Sequence, residues 1–136
     1  MPAVAGICDR AYTFPREMKK EEYQAKRKVF MDCCRHYKGQ MKRRNRILME
    51  RSKYDEGHRN DIDAQLELVE LQMLEENIQC VEETLASISK EYGKNAENLV
   101  YRVYVNGESI HIIAGETFMS EVTVKRHIKK YLERCL

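Results

Sequence analysis

The chain predicts an all-α protein: a long charged helical hairpin with coiled-coil-like stripes, followed by a small C-terminal helix-turn-helix. Three observations carry this reading. Helix breakers are scarce, six Gly and two Pro in 136 residues. The composition is 43% hydrophobic and 34% charged, rich in the Glu, Lys, Arg, Leu and Met that favour helix. Apolar residues recur every three or four positions over two long stretches, the period that lines one face of a helix.

The elements follow in chain order. Residues 1–14 carry little pattern and read as a mobile N-terminal tail. Pro15 suits the first position of a helix and Glu17 its first turn. The helix then runs to about Lys53, with Phe30, Cys34, Tyr37, Met41 and Leu48 as its stripe and Arg44 filling the seam. Asp55, Gly57 and Asn60 mark a turn. A second helix over 61–92 carries Ile62, Leu66, Val69 and Met73, then Leu74, Ile78, Val81, Leu85, Ile88 and Tyr92. The step from Met73 to Leu74 is a one-residue slip in the repeat. Gly93 is a helix stop.

Charge supports pairing of these two helices. Residues 1–60 hold 16 basic and 8 acidic side chains, +8; residues 61–98 hold 2 and 10, −8; residues 99–136 hold 6 and 4, +2. The near-neutral average hides a basic arm and an acidic arm, which favours their pairing over like with like. The stripes fit pairing within one chain or across a homodimer. Because two helices alone bury little apolar surface, residues 15–94 are expected to dimerise or to pack on the C-terminal part. The basic run Lys42, Arg43, Arg44 and Arg46 serves either the acidic arm or an enlarged DNA footprint.

Residues 95–136 form the third unit. Asn95 caps a short helix with Leu99, Val100, Val103 and Tyr104 on one face, and Asn106-Gly107 turns the chain. Ser109 caps a helix through Ile110, Ile113 and Ala114 to Thr117; Phe118-Met119 turn; Ser120 caps the last helix, with Glu121 in its first turn. A β-hairpin centred on Asn106-Gly107 is the alternative; the adjacent Ile112 and Ile113 break its alternation.

Two helices crossing in a helix-turn-helix need a small residue at their closest approach, and Ala114 is placed for it. On the last helix Val124, Ile128, Tyr131 and Cys135 face inward with Leu132 at the edge, while Val122, Arg126, Lys129 and Glu133 face out. This assigns DNA-binding roles. Arg126 can fork onto guanine, and Val122 or the Thr123 methyl can meet a thymine methyl. Lys125, Lys129 and Lys130 suit phosphates, and the amides beside Ser120 can meet another.

The stretch Tyr104, Gly107, Ser109, Ile113-Ala114, Ser120 and Thr123-Val124 resembles, at matching spacing, the promoter-reading C-terminal domain of bacterial sigma factors. A charged helical arm ahead of such a domain is similar to phage late-gene activators of the ArpU and RinA type. The motif covers about 30 residues; the arm matches in length and character. Where that family has Leu-Gly before the second helix, this chain has Thr117-Phe118, and Phe118 offers a plug for the junction. The regions by which complete sigma factors bind core polymerase have no counterpart.

The resemblance implies a phage-encoded, sequence-specific transcription regulator. Double-stranded DNA is its partner, and RNA polymerase or another host protein is a further candidate. The rival readings are a protein-interaction module working through the arm and a phage packaging or assembly subunit. No enzymatic constellation or cofactor motif stands out. Cys33, Cys34 and His36 lack a second cluster at zinc spacing, so no metal is expected. Five cysteines, two adjacent, suit reduced thiols and a cytoplasmic protein, with Cys34 in the core. No apolar run approaches the roughly 18 residues of a membrane span, and "MPAVAGICDRAY" lacks the pattern of a signal peptide.

Overall fold

The computed structural model describes the backbone of residues 2–53 and 62–136 and the side chains of residues 20–53 and 62–136. The expected turn residues Asp55, Gly57 and Asn60 lie outside the described residues. The fold is all-α. Helix α1 spans Pro2–Ser52, α2 Ile62–Tyr92 and α3 Lys94–Val100; a π-helical turn follows at Tyr101–Val105, then α4 at Ile110–Thr117 and α5 at Glu121–Cys135. No strand occurs among the described residues, so the segment around Asn106-Gly107 is not a hairpin. The first helix begins at Pro2 and not at Pro15. Residues 2–14, expected as a tail, continue it, and Pro15 removes one donor from its ladder.

Helices α1 and α2 pack antiparallel within the chain. Tyr37 donates to Glu82 at 2.9 Å, Arg43 grips Glu70 through Nε at 2.8 Å and Nη2 at 3.2 Å, and Arg51 reaches the Ala64 carbonyl at 3.4 Å. The rising first numbers and falling second numbers fix the direction. The basic and acidic arms therefore lie side by side. Of the basic run, Arg43 pairs with the acidic arm and its grip holds the Glu70 carboxyl below the usual carboxylate range.

The seam between them departs from the expected stripes. On α2 it runs without a slip through Ala64, Glu67, Leu71, Leu74, Ile78, Val81, Leu85, Ile88 and Tyr92, alternating steps of three and four. On α1 it follows Phe30, Cys34, Tyr37, Gln40, Arg44, Ile47 and Arg51. The irregular step therefore falls in α1, where Cys34 to Tyr37 and Tyr37 to Gln40 are two consecutive steps of three. Ile47 is buried and Leu48 is 44% exposed. The Gln40 Oε1 atom is buried at the slip without a hydrogen-bond partner among the described residues.

This displaces four large side chains to the outside. Ile62, Leu66, Val69 and Met73 are 74, 61, 55 and 61% exposed. They form a second stripe on the face of α2 opposite its Ala64, Glu67, Leu71 and Leu74 seam.

Toward the other end the hairpin widens into the main core. Phe30 and Cys34 of α1, Val81, Leu85 and Ile88 of α2, Ala96 and Val100 of α3, Ile113 and Ala114 of α4, and Val124, Ile128 and Leu132 of α5 form one buried cluster. Arm and C-terminal helices thus share a single core. Gly93 separates α2 from α3 with φ 100 and ψ 170, a conformation essentially reserved for glycine. Gly93, not Asn95, occupies the N-cap position of α3. The π-helical turn ends where the Asn106 amide donates to Tyr101 at 3.0 Å, and Gly107 takes φ 67.

Candidate nucleic-acid interface

Local chemistry sets the frame of the site. Helix α4 starts after Ser109, in extended conformation, whose carbonyl accepts from Ile113 at 3.1 Å; its hydroxyl makes no capping bond. Helix α5 starts after Ser120, whose Oγ accepts from the Thr123 amide at 3.1 Å and lies 2.8 Å from Thr123 Oγ1. Between them Phe118 holds φ 56 and ψ 35, and its amide closes onto the Ala114 carbonyl. Thr117 Oγ1 donates back to Ile113 at 2.8 Å. Ala114 is buried within the core shared by α4 and α5, as its small size predicts. Helices α4 and α5 are thus joined by a three-residue turn, 118–120, that contains a left-handed residue, and the second helix is capped by a side chain.

Phe118 is 96% exposed, so it does not plug the junction. Its left-handed backbone costs roughly 1–2 kcal/mol in a residue with a Cβ. Phe118→Gly is therefore expected to stabilise the fold by about 0.5–1 kcal/mol after the greater unfolded-state entropy of Gly is deducted. Urea unfolding followed by circular dichroism checks this; a lower midpoint would assign Phe118 a packing role.

The buried row of α5 is Val124, Ile128 and Leu132. Leu132 is central to it, not at its edge, while Tyr131 and Cys135 are half-buried. Steps of four keep this row facing α4 and the arm. Opposite stand Val122, 64% exposed, and Arg126, Lys129 and Glu133, all exposed. Arg126 and Lys125 have no ion pair among the described residues, whereas Lys129 Nζ lies 3.8 Å from Glu133. Thr123 is half-buried and its hydroxyl is committed to the Ser120 cap, which leaves Val122 as the open apolar contact. Glu121 lies 3.8 Å from His111 Nδ1, at the edge of the first turn.

The expected contact residues therefore divide. Val122, Arg126 and Lys129 share one face, with Lys125 on its α1 flank. Lys130 leans to the other flank, its ammonium 5.6 Å from the centre of the Tyr92 ring. The Tyr92 and Tyr131 rings meet tilted at 44° with centres 4.7 Å apart, and His127 stacks on Tyr131 at 6.1 Å. This aromatic column ties α5 to the end of α2. Both tyrosines stand on predicted inner faces, yet nothing in their spacing links them.

A second arrangement also escapes sequence reasoning. Arg102 contacts Glu108 through Nε at 3.1 Å and Nη2 at 3.0 Å, and reaches Glu116 at 2.7 Å. It clamps the π-helical turn to α4, and its guanidinium holds the Glu108 carboxyl below the ordinary range. Separations of 6 and 14 residues leave no periodic trace.

Burial pushes the Cys34 thiol up to about 12 and raises Cys33 and Cys135, which disfavours the nucleophilic thiolate. Among the described residues no three His, Cys, Asp or Glu are grouped to hold a metal. No helix among them is long and apolar enough to cross a membrane. Compared with known proteins, the chain matches no family model, no curated protein and no solved structure.

Proposed function

We propose that the protein is a sequence-specific DNA-binding transcription regulator, phage-encoded and cytoplasmic, that docks α5 in the major groove. The observation that carries this reading is the outward row Val122, Arg126 and Lys129, set opposite the buried Val124, Ile128 and Leu132 on a helix capped by Ser120. A guanidinium without an ion pair is suited to the O6 and N7 atoms of guanine, and Val122 to a thymine methyl. Lys125 and Lys129 supply phosphate contacts, and Lys130, drawn toward Tyr92, supplies one on the far flank. Ser120 brings the first amides of α5 to the same surface. The resemblance to the promoter-reading domain of sigma factors and to the ArpU and RinA activators supports the same assignment, as do the free cysteines for a reducing compartment.

Selection from random duplexes tests the function. Enrichment of a common sequence, with affinity falling steeply as salt rises, is the expected outcome. A pool that stays random after repeated rounds sinks the reading.

The active form is proposed to be a homodimer joined through the α2 stripe. Ile62, Leu66, Val69 and Met73 step by four, three and four, the spacing of a coiled-coil seam, and an antiparallel copy matches the stripe to itself about Leu66 and Val69. Gln65 and Gln72 flank it as neutral residues. Val69→Glu is expected to halve the mass in solution while leaving helicity unchanged, since the side chain is exposed. Light scattering checks this. A wild-type monomer would instead assign the stripe to RNA polymerase or another host protein.

A further inference from the structure

Beside the outward row of α5 lies a cleft of about 430 Å³, bounded by Tyr23 and Arg27 of α1, Tyr104 of the π-helical turn, Ile110 of α4, and Lys125 and Lys129 of α5. Three of its lining residues are cationic and none is acidic. On the other side of Tyr23, Glu22 and Glu133 line a separate crevice with Lys26, and Glu133 lies 3.8 Å from the Lys129 ammonium at the cleft's edge. Some other arginines are engaged by carboxylates, Arg43 by Glu70, Arg102 by Glu108 and Glu116, Arg134 by Glu91, whereas Arg126 is not. Arg27 and Lys125 have no ion pair among the described residues. Neither the Tyr23 nor the Tyr104 hydroxyl makes a hydrogen bond among them, so two further donors are uncommitted.

We infer that this cleft holds a phosphate group, and that in the reading above the group is a phosphodiester of the bound duplex. The chemistry matches: a planar guanidinium forks onto two phosphate oxygens, ammonium groups add point charge, and phenolic hydroxyls donate to the remaining oxygens. The position matches as well. Lys129 belongs both to the outward row and to the cleft, so a backbone running along the α1 side of α5 passes the cleft mouth. The inference rests on the DNA reading for the source of the phosphate, and on the cleft alone for its chemistry. It enlarges the interface from one helix to two and gives α1 a direct part in binding.

Arg27→Gln tests it. Arg27 is exposed and outside the core, so the fold is expected to survive. Affinity for a random-sequence duplex, measured by fluorescence anisotropy across a salt series, should show its log–log slope fall by about 0.9, the loss of one phosphate contact. Preference for the selected sequence should not change. Arg35→Gln, on α1 beside Asp32, should leave the slope as in wild type. An Arg27→Gln slope equal to wild type overturns the duplex assignment. Titration of wild type with inorganic phosphate, followed by NMR at the Lys125 amide and the Arg27 Nε–H, separates the two levels. If the protein binds no duplex, a saturable shift at Lys125 that Arg27→Gln abolishes upholds the phosphate site for a free phosphorylated molecule. No shift in either protein overturns the site itself.

Discussion

Phe30→Ala is expected to cost about 3–5 kcal/mol, the range for emptying a fully buried aromatic site. Phe30 is completely buried on α1 and meets the Tyr104 ring edge-on at 6.1 Å. It belongs to the same cluster as Val100, Ile113 and Leu132, so its loss opens the core where the arm meets the C-terminal helices. Against a total stability of roughly 5–15 kcal/mol, much of the fold's margin disappears. The measurement is urea unfolding followed by far-ultraviolet circular dichroism for helix content and by absorbance of the chain's eight tyrosines for side-chain packing. Both signals should shift together to lower urea. If the tyrosine signal kept its wild-type midpoint while the helical signal moved, the shared core would not behave as one cooperative unit.

Arg126→Ala is expected to weaken binding to the selected sequence by about 1–3 kcal/mol, the discrimination carried by one bidentate base contact. That is roughly 5- to 150-fold in affinity. Binding to random duplex should fall far less, since a base contact contributes little there. The side chain is exposed and without an ion pair among the described residues, so removing it leaves no buried group unpaired. Competition experiments with selected and random duplexes give the ratio directly. An equal loss on both would demote Arg126 to a backbone contact.

Legibility in the sequence depended on how local the signal was. The helices α4 and α5 and the turn between them were readable because their signals are set within a few residues: Ser109 and Ser120 at the two helix starts, Ala114 in the core, Phe118 in the turn, and Arg126 opposite Val124 and Ile128. The second half of α2 was equally plain, since Ile78, Val81, Leu85 and Ile88 form the only apolar stripe there. The first half misled for a physical reason. Two stripes coexist, and the one with the larger side chains, Ile62 to Met73, is exposed, while Ala64 and Glu67 face α1. Hydrophobicity ranks stripes but does not say which one a partner helix covers. Ile47 displaced Leu48 because the seam slips in α1, a property of how two helices cross. The cleft at Arg27 and the Arg102 clamp join residues distant in the chain, and no periodicity encodes such meetings.

Residues of α1 and α2 join those of α3, α4 and α5 in one core. From the middle of the exposed stripe, near residue 67, to Tyr92 is about 37 Å at ~1.5 Å rise per residue. In the proposed homodimer, a two-fold clasp at the stripe would set the two ends about 74 Å apart, close to two turns of B-form duplex at roughly 34–36 Å each. The length of α2 then acts as a ruler, and lengthening it by whole turns of helix should move the favoured distance between paired operator elements in step.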